Sequence, residues 1–246
     1  MCLGKCSLLV ALVFLVLGMP AAAQPRSEAP AVTRLATGHL SSVVGLPFYF
    51  RLYAAHLPAA QPASYRGSAA MVYGMSGAAA IELDGGGVQP LVKGTGAFIA
   101  SGQGATIRAA ASEPTDLLLF VVSALPNQRP PFDRPAVTKE LYRTPDAMPG
   151  LKPGPYEFSL ARLTFPAGMP AGQPHYRTGA ALNYVLAGTG SLIAAGKTQP
   201  MPAGTAQAAL SGWFHQWANP GDTPLVILEA QITQEGAASV VPEPAK

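Results

Sequence analysis

The sequence predicts an all-β protein of two β-barrels in tandem, preceded by a cleaved signal peptide. Three observations support this: many turn-forming residues in an apolar chain, an internal repeat, and the pattern of the first residues. Of 246 residues, 26 are glycine and 25 are proline, while 49% are hydrophobic. A disordered chain is poorer in apolar residues. The combination is therefore typical of many short strands separated by turns.

The N-terminal residues 1–23 have the pattern of a secretory signal. Lys5 is followed by an apolar run from Ser7 to Gly18, and Ala21 and Ala23 fit the small-x-small cleavage pattern. A run of about 12 apolar residues is too short to cross a bilayer, which takes about 20. The segment therefore predicts a signal peptide cleaved near Ala23, with a retained anchor as the alternative. We expect a secreted or periplasmic protein.

Cysteine content and charge narrow the possible partners. Both cysteines, Cys2 and Cys6, lie in the predicted signal, so no disulfide, thiolate metal site or cysteine nucleophile is expected after cleavage. Charged residues make up 12% of the chain, the net charge is +3, and lysine and arginine are not clustered. A nucleic-acid partner is not expected without a basic patch. After signal cleavage no membrane partner is expected either.

The chain repeats itself once. Ser64–Gly77 aligns without a gap with His175–Gly188, and Tyr, Arg, Ala, Ala, Tyr and Gly coincide. Further matches follow downstream at a separation of about 110 residues. An ordered series of matches at one separation predicts two copies of a unit. In the second copy, strands are expected at Glu157–Phe165, Leu182–Leu186, Ser191–Ala194, Trp213–Asn219 and Leu225–Ile232.

The segments around the two copies are expected to lie outside the barrels. Residues 126–155 are rich in proline and polar side chains, which is typical of a linker, and a short helix is expected at Thr138–Tyr142. The predicted boundaries are a loosely ordered arm over 24–40, a first barrel over 41–125, a second barrel over 156–233 and a tail over 234–246.

The C-terminal repeat resembles the cupin family, small β-barrels of the jelly-roll type. In the family's second motif Gly, Pro, Gly, His and Asn stand at fixed spacings. Gly204, Gly212, His215 and Asn219 stand at those spacings here, with Leu210 in place of the proline. The resemblance covers about 75 residues, and the repeat extends it to the first half. It implies a bicupin, two jelly-roll barrels in one chain, of which the first is degenerate.

The family's first motif is only partly present. His175 and Gly188 fit it, whereas Arg177 takes the place of the second histidine and Ala181 that of the glutamate. The resemblance implies a metal held by three histidines and one glutamate, most often iron or manganese, sometimes zinc, nickel or copper. A divalent ion needs several converging imidazoles or carboxylates. We therefore expect a degenerate metal site and no cofactor, with His175 and His215 as the candidate ligands if a metal binds.

Strand parity predicts a binding cavity instead. Side chains two residues apart face the same side of a strand, which places one set of polar and aromatic groups inside the second barrel. An aromatic wall with a few convergent polar groups is the expected form of a small-molecule site. The candidate ligand-binding residues are His175, Arg177, Asn183, Trp213, His215 and Trp217. Arg177 is the natural clamp for a carboxylate, because its fork of donors matches two oxygens.

Structural roles for the same residues are the alternative. Trp213 and Trp217 are also suited to core packing, and Arg66 recurs where Arg177 stands, which favours a role common to both barrels. The histidines align with Ser64 and Ala105 in the first repeat, so barrel folding does not require them. We expect the first barrel to be filled and inert.

Three functions remain at this point. The first is an exported protein whose second barrel binds a small, anionic organic molecule without catalysis. The second is a metal-dependent enzyme of the dioxygenase, oxidase or isomerase kind with an incomplete ligand set. The third is a scaffold whose barrels pack together and form a homo-oligomer. The sequence names no catalytic residue.

Overall fold

The computed structural model describes residues 29–40, 47–124 and 130–244. The predicted signal peptide, its cleavage site and both cysteines lie outside the described residues. All regular elements in the described ranges are β-strands, as the sequence predicts. The described residues contain no helix that is long and apolar enough to cross a membrane.

The strands fall into two successive sets. The first set is β1 (Ala31–Leu40), β2 (Tyr49–Leu57), β3 (Pro62–Tyr65), β4 (Ala69–Ser76), β5 (Ala78–Leu83), β6 (Val88–Val92), β7 (Gly96–Ile99), β8 (Ala105–Ala109) and β9 (Thr115–Ser123). The second set is β10 (Val137–Arg143), β11 (Tyr156–Phe165), β12 (His175–Arg177), β13 (Ala180–Ala187), β14 (Thr189–Ala194), β15 (Lys197–Pro202), β16 (Ala206–Ala209), β17 (Gln216–Ala218), β18 (Leu225–Gln234) and β19 (Val240–Pro242).

The two barrels have the same strand order. In the first barrel a sheet β10-β2-β9-β4-β7 is combined with a sheet β3-β8-β5-β6. In the second, a sheet β1-β11-β18-β13-β16 is combined with strands β15-β14-β17 and the pair β12-β19. The bridge between His175 and His215 joins those last two groups. The repeat in the sequence is therefore a repeat of structure.

Two segments expected outside the barrels are edge strands, so the prediction of a loosely ordered arm and that of a helix at Thr138–Tyr142 are wrong. β1 pairs with β11 along its whole length, and β10 pairs with β2. Without β1 and β10, strands β11 and β2 would each lie at a sheet edge with a row of unpaired backbone groups. β1 forms hydrogen bonds with that row of β11, and β10 does so with that of β2. The conformation of β1 and β10 is therefore set by pairing with a strand that is distant in sequence, and not by the secondary-structure propensity of their own residues. β19, in the predicted tail, likewise pairs with β12.

The leading strand of each repeat crosses to the other barrel. β1 precedes the first barrel in the chain but extends the sheet of the second. β10 precedes the second barrel but extends the sheet of the first. Each barrel is completed by a strand from outside its own continuous segment.

The two five-stranded sheets pack against each other through one apolar cluster. Phe50 and Phe120 of the first barrel belong to it together with Phe158, Leu182 and Leu228 of the second, and all five are at most 2% exposed. A separate cluster fills the first barrel, where Ile81, Leu91, Ile99 and Ile107 are fully buried. A third cluster, inside the second barrel, contains Leu163, Val185 and Trp217. The candidate site lies beside this third cluster.

Candidate functional site

A cavity of about 300 Å³ lies against the inner face of the second barrel. Strands from distant parts of the chain form its walls: β1, β11, β12, β18 and β19 each contribute. Apolar side chains dominate the lining, among them Val32, Leu163, Phe165, Met169, Trp217 and Val240. The polar side chains are Gln173, His175, Arg177, Gln216 and Glu229.

A buried ion pair is the main polar feature of the cavity. Arg177 Nη2 lies 2.5 Å from Glu229 Oε2. Arg177 is 8% exposed and Glu229 is 6% exposed. Two opposite charges taken out of water must be paired closely to offset the loss of hydration, and this geometry meets that requirement. The carboxylate for which Arg177 is suited is thus supplied by the protein itself.

The arginine is not fully satisfied by this contact. Its Nε is buried and has no hydrogen-bond partner among the residues that the structure describes. A buried donor without a partner costs about 1–3 kcal/mol. Because this Nε has almost no accessible surface, a bound molecule can contact Arg177 only through its Nη atoms.

Glu229 is a site residue that is not among those predicted from the sequence. It follows an apolar run at Leu225–Leu228, and Gln231 comes two residues later on the same side of the strand. Glutamate is almost never fully buried unless it is paired. A glutamate within an otherwise apolar strand was therefore the available signal for a buried partner of Arg177.

The two candidate histidines lie side by side. Their backbones form a two-way bridge, and their ring centroids are 4.8 Å apart. The Nδ1 of His175 lies 3.1 Å from the carbonyl oxygen of Gln173, and the Nδ1 of His215 lies 3.1 Å from that of Trp213. A carbonyl oxygen only accepts, so Nδ1 is the donor in both rings. In the neutral imidazoles, Nε2 is then left as an acceptor.

Burial makes His215 hard to protonate. Its side chain is 2% exposed, and burial is the largest effect that lowers its pKa from 6.5 to about 4. The hydrogen bond to the Trp213 carbonyl acts in the opposite direction, while the nearby charges of His175 and Arg177 lower the pKa further. His215 is therefore a neutral imidazole at pH 7.

The predicted tryptophans differ in their contacts. Trp213 stacks on the ring of His215, with centroids 5.0 Å apart and planes 14° from parallel. Trp217 is 6% exposed, belongs to the apolar cluster of the second barrel and lines the cavity. Trp213 packs against that cluster from its edge. Both side chains thus contribute to packing, and Trp217 also forms part of the cavity wall.

Asn183 is buried beside the ion pair. It is 2% exposed, lies opposite Glu229 in the pairing of β13 with β18, and its Oδ1 has no partner within the described ranges. Of the six predicted residues, His175, Arg177 and Trp217 line the cavity. His215 and Trp213 stack next to His175, and Asn183 lies on the strand beside Glu229.

The arginine of the first repeat has a different environment. Arg66 is exposed, whereas Arg177 is buried. Tyr65 pairs with Ala105 in the first barrel, and His175 pairs with His215 in the second. Since Ala105 and His215 correspond at a separation of 110, the structural counterpart of His175 is Tyr65. The ungapped sequence alignment is therefore one residue out of register here, and a structural role common to both arginines is not supported.

The residues present do not fit the four-ligand metal cage of the resemblance. The second ligand position is Arg177, which is bound to Glu229, and Ala181 at the fourth position has no donor atom. No group of three or more His, Cys, Asp or Glu side chains that could hold a metal ion occurs in residues 29–40, 47–124 and 130–244. The available imidazole donors are those of His175 and His215.

Similarities to known proteins agree with this architecture. The cupin-domain family matches residues 161–230. Oxalate decarboxylase from Bacillus subtilis, which has Mn(II) centres, is 14% identical with a TM-score of 0.53, covering 84% of this chain and 74% of its own. AerE from Microcystis aeruginosa is 14% identical with a TM-score of 0.55, covering 85% of this chain and all of its own. No curated protein matches the chain. The predicted fold class is thus confirmed: the chain has the cupin jelly-roll fold, and residues 161–230 match the cupin-domain family.

Proposed function

We propose that the second barrel binds a small organic molecule in the cavity beside Arg177 and Glu229. The observation that carries this proposal is the buried Arg177–Glu229 pair, whose residues both line a mostly apolar cavity. A concave, mostly apolar site with a few polar groups is typical of small-molecule binding, and about 300 Å³ is at the lower end of the usual volumes.

The first barrel supports the proposal by contrast. Val72 and Leu119 stand where the second barrel has Asn183 and Glu229, and both are fully buried in its apolar core. At these two positions the same architecture closes with apolar side chains, although the first barrel has an ion pair of the buried Arg51 with Glu140 elsewhere. The polar pair of the second barrel is not a requirement of the fold, which favours a role in binding.

We further propose that the binding protein is exported, because residues 1–23 have the pattern of a cleaved signal. Binding of this kind does not require catalysis, because the cavity needs only to enclose and orient its ligand. A homo-oligomeric scaffold is the competing interpretation, and it requires no ligand.

A metal-dependent enzyme is the alternative function, and the histidine pair favours it. Metal-bound histidines usually donate their other ring nitrogen to a carbonyl or carboxylate, and both His175 and His215 do so. Metal analysis of the purified protein tests this alternative, with the double variant His175→Ala/His215→Ala as control. A stoichiometric metal that is lost in the variant would favour the enzyme. Absence of metal from both would remove this alternative.

Thermal denaturation with a panel of carboxylates, sugars and phenolics tests the binding proposal. A ligand at 100 times its dissociation constant adds about 2.7 kcal/mol to the free energy of unfolding, and Tm rises accordingly. Arg177→Met combined with Glu229→Leu removes the pair without leaving a buried charge, and should abolish the rise. Arg66→Ala removes an exposed arginine and should leave the rise unchanged.

The outcomes separate the functions. If no compound raises Tm, the binding proposal fails and the scaffold is favoured. If the double variant responds as strongly as the wild type, the ligand binds elsewhere on the protein.

A further inference from the structure

We propose that the ligand of this cavity is electrically neutral, with a hydrogen-bond acceptor for Arg177 and a hydroxyl group for His175. This inference rests on the proposed binding function and specifies its ligand class. It replaces the anionic ligand expected from the sequence, because Glu229 already lies against the guanidinium.

Apart from the ring of His175, the charges of the side chains that line the cavity sum to zero. Arg177 and Glu229 are the other charged side chains among its described lining residues, and they form a pair with 2.5 Å between Nη2 and Oε2. Both residues are more than nine-tenths buried. The cavity therefore offers no unpaired guanidinium charge with which to offset that of an incoming anion.

A carboxylate ligand would meet two penalties. It would lose its hydration on entering a mostly apolar cavity, and it would lie close to Glu229 in surroundings that screen charge poorly. Like charges that share a buried site disfavour ionisation of both. A neutral acceptor avoids both penalties and can still accept a hydrogen bond from the Nη atoms of Arg177, which lines the cavity.

The second polar contact is an acceptor on the protein. His175 lines the cavity, and its Nδ1 is already used to donate to the Gln173 carbonyl. In the neutral ring, Nε2 can accept a hydrogen bond from a ligand hydroxyl. Phe165 and Trp217 provide aromatic walls between these polar groups. A neutral phenol that also has a carbonyl group combines these features.

Two probes of nearly the same shape and different charge test the inference: 4-hydroxybenzamide and 4-hydroxybenzoate, titrated calorimetrically at pH 7. We expect the wild type to bind the amide more tightly by at least about tenfold. Glu229→Gln frees the positive charge of Arg177 and should reverse that order. Equal or tighter binding of the benzoate by the wild type would overturn the inference, as would an unchanged order in a folded Glu229→Gln protein.

A second variant does not depend on the folding of Glu229→Gln, which leaves a buried cation without its carboxylate. In Arg177→Met/Glu229→Leu the site stays neutral but loses its donor, so affinity for the amide should fall by about tenfold or more. Unchanged affinity would refute the contact. If neither probe binds the wild type while a carboxylate raises Tm, the ligand class is wrong and the binding function stands. If nothing in the panel binds, the binding function itself fails.

Discussion

Acidification should destabilise the protein through one residue, His215. Its ring is buried between His175 and Trp213, and its pKa is lowered to about 4 from an ordinary 6.5. In the unfolded chain the same ring takes up a proton near pH 6.5. Between these two pH values the unfolded state therefore binds more protons than the folded state, and stability falls as the pH falls.

The magnitude follows from the two pKa values. At pH 7 the ring is neutral in the folded state and protonated in about a quarter of unfolded chains. At about pH 4.5 it is protonated in nearly all unfolded chains and in about a quarter of folded ones. Linkage then gives a loss of about 2 kcal/mol between these conditions. This is a large part of the usual stability of a domain, about 5–15 kcal/mol.

Chemical denaturation at both pH values measures this loss. The wild type should lose about 2 kcal/mol more than His215→Gln between pH 7 and 4.5, because other titrating groups are common to the two proteins. Gly172→Ala, which changes no titrating group and whose Cβ meets nothing within 4 Å, should keep the wild-type loss. If His215→Gln and the wild type lose the same free energy, the ring is not held neutral by burial.

Other predictions concern stability at neutral pH. Gly38→Ala should lower the free energy of unfolding by about 1–3 kcal/mol, because a Cβ there would overlap the ring of Phe98. Gly172→Ala is the control, since a Cβ there meets nothing within 4 Å. In denaturant titrations it should stay within about 0.5 kcal/mol of the wild type. Asn219→Leu should cost at least about 3 kcal/mol, since its amide donates to three backbone carbonyls. Asn183→Leu removes an unpartnered buried oxygen and should cost far less, and equal losses would contradict this hydrogen-bond argument.

The second barrel could be predicted from sequence because its signals are local. Asn219 stands at its motif spacing, and in the structure its side chain holds together the turn around Gly221 and the end of β11. Apolar runs mark β11 and β18, whose inner and outer faces are both buried. Such features depend on neighbouring residues, and the sequence displays them directly.

The exchanged strands could not be predicted in this way. Val32 is 64% exposed and Val137 is 68% exposed, so apolar residues in β1 and β10 do not reliably mark a buried face. Each is held by backbone pairing with a strand far away in sequence, β11 for one and β2 for the other. Backbone pairing is insensitive to side chains, and nothing in β1 indicates that its partner lies beyond the first barrel.

The site was only half predicted for a related reason. Arg177 was placed inside the barrel by strand parity, but its partner lies 52 residues further along the chain. The ungapped alignment of the two repeats also paired residues that are not structural counterparts. A slip of one residue on a strand exchanges its inner and outer faces, so Arg66 points to solvent although it aligns with the buried Arg177.

The first barrel also has an ion pair with a buried arginine, Arg51–Glu140, but it lies at other positions. This difference bears on why the second barrel has an ion pair at Arg177 and Glu229. Breaking a buried pair is costly, but replacing it by apolar side chains is often neutral or stabilising. The first barrel shows that this apolar solution fits the same architecture, because Leu119 and Val72 pair at the place taken by Glu229 and Asn183 in the second. Stability alone therefore does not explain why the second barrel contains Arg177 and Glu229. A binding cavity does explain the pair if it must offer a directed hydrogen-bond donor without a net charge. Arg177 supplies the donor, and Glu229 balances its charge.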